Sequence, residues 1–121
     1  MDSILRKKQK IKPVAPFVDK IPFILSLILG SIDKSIIEKV YLFGSYAYGK
    51  PKKDSDIDIC VIIDNNSDRP EVQLKIKCVL MDNKIIPSDL LVFNFDKFYG
   101  AKNPDGIEKT IMKYGKLLYE K

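Results

Sequence analysis

The chain of 121 residues contains no histidine and no tryptophan, and only two cysteines. Without histidine there is no Ser-His-Asp or Cys-His mechanism and no histidine metal site. Acid-base work falls to carboxylates, lysines and tyrosines. The two cysteines, Cys60 and Cys78, both lie in apolar surroundings, with no CxxC or Cys/His cluster near them. They read as reduced core residues, not as a disulfide or a zinc site. No apolar run approaches the ~18 residues of a membrane span. The most apolar stretch, Ile21 to Ile32, is interrupted by Pro22, Ser26, Gly30 and Ser31 and reads as a buried helix. The N-terminus begins with charge and lacks a following apolar segment with a small-residue cleavage site, so it does not read as a signal peptide. A cytoplasmic protein without a membrane partner is expected.

What is present suits one compact domain: 45% hydrophobic and 31% charged residues, with a net charge of +5. Within residues 1–12, Arg6, Lys7, Lys8, Lys10 and Lys12 stand against Asp2 alone, and the remainder is nearly neutral. Residues 1–16 form a basic, partly ordered arm before a single domain over 17–121. The arm reads first as a solvated tail, with contact to an anionic partner as the alternative.

The pattern predicts a helix from about Phe17 to Leu29, capped by Asp19, with Pro22 in its first turn and Gly30-Ser31 as its stop. Ile32 to Glu38 is a short connection. A strand over Val40–Phe43 breaks at Gly44. The turn G-S-Y-A-Y-G and the polar loop Lys50–Ser55 lead to a second, buried strand over Ile57–Ile63. A helix follows from Ser67 or Asp68, with Val72, Leu74, Ile76, Val79 and Leu80 on its apolar face. Next come a strand over Ile85–Phe95 and a loop or short helix over Asp96–Asn103. A last helix from Pro104-Asp105-Gly106 to Tyr114 carries Ile107, Ile111 and Tyr114 on one side, and Leu117–Tyr119 forms a short strand. This order gives a small α/β (α+β) domain: a mixed sheet with helices packed on it.

Chemistry concentrates between Val40 and Ile63. Side chains alternate across a strand, so Asp56 and Asp58 share a face, with Cα atoms roughly 6.6 Å apart. Ile57, Ile59 and Val61 point the other way, while Cys60 and Ile62 continue the aspartate face into the interior. Such carboxylates can converge on a divalent ion, which relieves their repulsion; D-x-D alone reads first as a solvated strand start beside a lysine-rich loop. Gly44 can adopt positive φ or let a phosphate approach the backbone, and Ser45 adds a hydroxyl and an N–H. Gly-Ser, ten residues, then Asp-Ile-Asp between two apolar strands is more specific than any of its parts.

The pattern Gly44-Ser45, Tyr46 to Ser55, then Asp56-Ile57-Asp58 resembles the signature of the minimal nucleotidyltransferases of the DNA polymerase β-like superfamily. Leu42-Phe43, Ser55 and the C-terminal Tyr114–Glu120 extend the likeness over about residues 17–120. The resemblance implies a nucleotidyltransferase fold and a third carboxylate on a neighbouring strand, for which Asp89 in P-S-D-L-L-V is the best match. Asp82 and Asp96 are weaker matches. It implies that Asp56, Asp58 and Asp89 hold two Mg²⁺ ions (or Mn²⁺), that Asp89 accepts the acceptor hydroxyl's proton, and that Gly44 and Ser45 hold the nucleotide's terminal phosphates. Many members carry arginine where Tyr46 or Tyr48 stands. The tyrosines remove a bidentate phosphate clamp and leave Lys50, Lys52 and Lys53 as point charges or as a solvated loop. Lys53 is taken as the nucleotide-binding candidate among them.

The implied function is transfer of a nucleoside monophosphate, AMP from ATP or another NTP, to a hydroxyl on a partner protein such as a HEPN-family RNase toxin: an antitoxin role. The alternative is a catalytically weak module of the same fold that neutralises its partner by binding. A nucleic-acid-directed transferase aided by the basic arm ranks third. A homo-oligomer is compatible with the sequence, which does not specify the acceptor.

Overall fold

The computed structural model describes residues 20–44, 47, 57–85 and 89–121. The basic arm, Asp19, Pro87 and most of the loop between the first two strands lie outside the described residues, among them Ser45, Lys53 and Asp56. Among the described residues four strands form one mixed sheet: β1 (Ile37–Phe43), β2 (Asp58–Ile63), β3 (Asp89–Asn94) and β4 (Lys116–Glu120), in spatial order β3-β2-β1-β4. β1 pairs antiparallel with β2 and β4, whereas β2 and β3 are parallel and joined through a helix. The expected small mixed sheet with packed helices is thus the observed architecture.

β2 is buried on both faces because helices cover both. On one side α1 (Ile21–Ser31) and α2 (Arg69–Asp82) pack onto Val40, Leu42, Ile57, Ile59, Val61 and Ile63. On the other, α3 (Phe95–Tyr99) and α4 (Ile107–Tyr114) bring Phe98 and Ile111 against Tyr41, Phe43, Cys60 and Ile62. The predicted alternation along β2 therefore sorts its residues into two cores. Phe98 is fully buried, 4.9 Å from the Tyr99 ring and 5.3 Å from the Phe93 ring, centroid to centroid. Tyr41 faces the same core, its hydroxyl 3.4 Å from that of Tyr99. Burial, then this hydrogen bond, pushes the Tyr41 phenol up to about 12.

Several boundaries differ from the sequence pattern, each for a local reason. α1 begins at Ile21, later than the expected Phe17, with Pro22 in its first turn as expected, and Gly30 and Ser31 are its last helical residues before extended Ile32 ends it. The connection that follows holds a 3₁₀ turn over Lys34–Ile36, capped by Asp33, whose carboxylate accepts from the Ser35 N–H at 3.0 Å and the Ser35 hydroxyl at 2.9 Å. β1 starts at Ile37, not Val40, because polar Glu38 and Lys39 are strand residues that meet Lys121 at 3.7 Å and Glu120 at 3.6 Å.

β3 starts at Asp89, and Ile85 belongs instead to the end of α2. Lys84 takes a left-handed conformation, φ 62°, while the N–H groups of Lys84 and Ile85 donate to the carbonyls of Met81 and Leu80 at 2.9 Å each. This is a Schellman closure, with Ile85 buried in the same core as Leu80. Along α2 the buried residues are Val72, Ile76 and Leu80, one per turn; Leu74, expected on that face, is 61% exposed. On α4 only Ile111 of the expected stripe is buried, and Ile107 and Tyr114 are exposed.

Cys60 is buried, as expected, but Cys78 is exposed, contrary to the sequence reading. Cys78 sits two residues after Ile76 on α2, which rotates it away from the sheet. Among the described residues no helix is long and apolar enough to cross a membrane.

Two measurements test these environments. Burial pushes the Cys60 thiol pKa up, so iodoacetamide should modify only Cys78 in native protein and reach Cys60 only on urea unfolding. Raising the Tyr41 pKa means the folded state holds its proton more tightly. The stability this contributes is present below pH 10 and lost as pH rises through about 12. Tyr41→Phe should flatten that alkaline decline in urea titrations.

Candidate active site

The register of the sheet builds the site. Phe43 is opposite Asp58 in the antiparallel β1–β2 pair, and Asp58 is opposite Asp89 in the parallel β2–β3 pair. Phe43, Asp58 and Asp89 therefore form a row across three adjacent strands, on the face that carries Tyr41, Cys60 and Leu91 one row further in. Neighbouring strands lie ~4.8 Å apart, so the two aspartates are side by side. Phe43 is buried, Asp58 half-buried and Asp89 exposed, so the row runs from the core to solvent. The crossover through α2 creates the adjacency of two acids thirty-one residues apart in sequence.

Gly44 follows β1 with φ +75°, a conformation that favours glycine. A Cβ built on it would overlap Oδ2 of Asp58 and lie 3.0 Å from its Cγ. The backbone is thus pressed against the carboxylate, and no residue with a side chain fits without moving it. The Ala47 N–H donates to the Gly44 carbonyl at 3.0 Å, closing a turn immediately after the strand. Ala47 packs against the core beneath α1 and α2, which anchors the far side of this turn.

Of the residues singled out from the sequence, the structure brings Gly44, Asp58 and Asp89 together. Asp56, Ser45 and Lys53 lie outside the described residues. Asp82 ends α2, and Asp96 lies on α3 beyond the opposite end of β3, where its N–H donates to the Asn65 side-chain oxygen at 2.9 Å. Neither joins the row. Phe43 was not singled out as a site residue. Its position directly before Gly44, at the end of an apolar strand, is the signal that places it beside Asp58.

Two adjacent carboxylates with a close backbone form an all-oxygen donor set that suits a hard divalent cation such as Mg²⁺ or Mn²⁺. Without a counter-charge, like charges on neighbouring strands are destabilising. Among the described residues no group of three His, Cys, Asp or Glu side chains converges. The described part of the fit rests on Asp58 and Asp89.

The profile of the family described as Polymerase beta, Nucleotidyltransferase matches residues 31–121. The chain belongs to this nucleotidyltransferase family. The match spans all four strands, and with them the Gly44–Asp58–Asp89 constellation. A search of curated proteins finds no match. Among solved structures, the chain is similar to a toxin–antitoxin crystal structure with AMP-PNP, at 23% identity and TM-score 0.56, over 81% of this chain and 71% of that one. It is also similar to a mutant MntA–HpeT toxin–antitoxin structure in which two aspartates, two positions apart, are glutamates. That match has 21% identity and TM-score 0.55 over 83% and 72% of the two chains. A Sulfolobus solfataricus protein described as a nucleotidyltransferase follows, at 20% identity and TM-score 0.50 over 82% and 76%. These likenesses are likenesses of fold.

The overlap at Gly44 predicts a coupled pair. Gly44→Ala should destabilise the fold by about 1–2 kcal/mol through the left-handed backbone alone. Displacement of the Asp58 carboxylate should add to this. In an Asp58→Ala background the second contribution disappears. A urea double-mutant cycle should therefore show a coupling of about 0.5–3 kcal/mol, and zero coupling would mean the two groups are not in contact.

Proposed function

We propose that this nucleotidyltransferase moves AMP from ATP to a hydroxyl on a partner protein, and that the partner is a HEPN-family RNase toxin which the transfer neutralises. The observation that carries the chemistry is the pairing of Asp58 with Asp89 on one face, against the backbone of Gly44. Support for the nucleotide and the setting comes from the fold likeness to toxin–antitoxin structures, one holding the ATP analogue AMP-PNP. The paired aspartates altered in the other have the spacing of Asp56 and Asp58 here.

In this reading Asp56, Asp58 and Asp89 hold Mg²⁺, or Mn²⁺ in its place. The ions, when bound, lower the pKa of the attacking hydroxyl and neutralise charge on the α-phosphate and the departing pyrophosphate. The chain's own groups do the rest. Gly44 and Ser45 hold the terminal phosphates through the main chain and the Ser45 hydroxyl, and Lys53 adds a positive charge. The acceptor oxygen attacks the α-phosphorus, the bond to the β-phosphate breaks, and Asp89 takes the hydroxyl proton. Asp89 is the exposed member of the row, which suits the acid that must meet an incoming acceptor.

A second reading is favoured by one feature, Tyr46 and Tyr48 in place of a phosphate-clamping arginine: the fold neutralises its partner by binding alone. Labelled ATP, Mg²⁺ and the partner separate the two. Transfer should fall below detection in Asp58→Asn and by about 10²–10⁴-fold in Asp89→Asn. If Asp58→Ala neutralises the partner as well as the parent does, and ATP makes no difference, the binding reading replaces the catalytic one.

A further inference from the structure

The two edges of the sheet are treated differently. β4 carries Lys116 and Glu120 at its ends, Glu120 meets Lys39 at 3.6 Å, and its register with β1 shifts between Val40 and Tyr41. Charge and irregularity of this kind blunt an edge against further pairing. β3 has fewer guards: its one charged residue is Asp89, at its first position. Its register with β2 runs unbroken over six residue pairs, and its centre is Leu90-Leu91-Val92-Phe93, without proline or lysine. Among the described residues no strand covers its outer side.

A side chain of α2 marks which backbone groups face outward. Gln73 Nε2 donates to the Leu90 carbonyl at 3.0 Å. Main-chain groups alternate along a strand, so those of Val92 turn the same way as those of Leu90, while Leu91 and Phe93 bond to β2. Alongside runs a groove of about 430 Å³, floored by residues 91–94 and walled by Arg69, Gln73 and Lys97. Arg69 donates to the Gln73 side-chain oxygen, a neutral partner, and neither Arg69 nor Lys97 forms an ion pair among the described residues. A hydrogen-bonding edge that Gln73 occupies at the Leu90 carbonyl is thus flanked by two cations that form no ion pair among the described residues.

We propose that the outer edge of β3 is a docking track for an extended, acidic segment of a partner protein, which adds to the sheet as a fifth strand and sets its carboxylates toward Arg69 and Lys97. Charge complementarity selects this occupant over a second copy of the chain. Two-fold pairing of β3 with itself would bring these cations against their own kind in a protein already at +5. The track also leads to the candidate site: Asp89 is the first residue of β3, three positions and ~10 Å from Val92. A seated segment thus carries its flanking residues toward Asp89, which makes the track the acceptor's approach. That last clause rests on the proposed transfer to a protein; the docking itself does not.

The test uses the full chain without nucleotide or metal, so a chain that transfers no AMP still reports docking. The probe is a fluorescein-labelled Glu-Val-Glu-Val-Glu-Val peptide, with a Lys-Val-Lys-Val-Lys-Val peptide as its counterpart. The acidic peptide should bind and slow hydrogen exchange at the Val92 amide. Arg69→Glu and Lys97→Glu should each weaken it about tenfold, with thermal midpoints unchanged. N-methylation at one alternate set of peptide residues should abolish binding while methylation at the other set leaves it, a readout that needs no change to the protein. The proposal is overturned if the acidic peptide fails to bind at millimolar concentration, if both peptides bind alike, or if both charge reversals bind as the parent does. A dimer whose Val92 amide is protected without peptide would assign the edge to a second copy and overturn it too.

Discussion

The parallel pairing of β2 with β3 is the constraint on which the site depends. It sets Asp58 beside Asp89 at one end of the sheet and on one face. A slip of one residue along β3 would send Asp89 to the other face and put Leu90 in its place. The register is held from the core side. Leu90 and Val92 pack with Ile59 and Val61 under α2, and the alternation that buries them leaves Asp89 in the row of Asp58. Apolar burial, summed over many contacts, thus fixes the position of two groups that would otherwise repel.

Each end of the crossover is fastened. At the C-terminus of α2, left-handed Lys84 closes the helix and drops Ile85 into the core. At the opposite end of β3, the Asn94 side-chain amide donates to the carbonyls of Asp64 at 2.8 Å and Ser67 at 3.0 Å, tying the turn after β2 to the end of β3. The acids themselves sit at the other mouth of the sheet, where Gly44 brings main chain against a carboxylate. Helices insulate the strand bodies on both faces, and the polar chemistry is confined to the strand ends, as the crevice at the end of a sheet in many α/β proteins would suggest.

The two cores carry different functions in this arrangement. The one under α1 and α2 is almost wholly aliphatic and sets the register. The one under α3 and α4 is aromatic, built on Phe98, Tyr41 and Phe43, and it forms the floor from which Asp58 emerges. A nucleotide held near Gly44 would therefore meet a carboxylate whose inner neighbour is a buried aromatic ring, a setting that weakens solvent screening and strengthens the pull on a cation.

Much of this was legible in the chain itself. Alternation over Ile57–Ile63 determined that β2 is buried on both faces and that an aspartate leads one of them, because a strand's period of two leaves no other assignment. The Gly-Ser, ten residues, Asp-Ile-Asp spacing identified the family. Propensity did not reveal that Glu38 and Lys39 are strand residues, that Ile85 ends a helix, or that Cys78 and Leu74 face solvent. Strand pairing with β4, a left-handed cap and the rotation of α2 decided those; the first and last depend on contacts between distant segments, and the cap, though local in its hydrogen bonds, is completed by Ile85 in the core. The sequence offered three aspartates and could match Asp89 to the third role only by likeness. Tertiary structure decided that Asp89, not Asp82 or Asp96, stands beside Asp58, since only the parallel crossover brings residues so far apart in the chain to opposite positions on neighbouring strands.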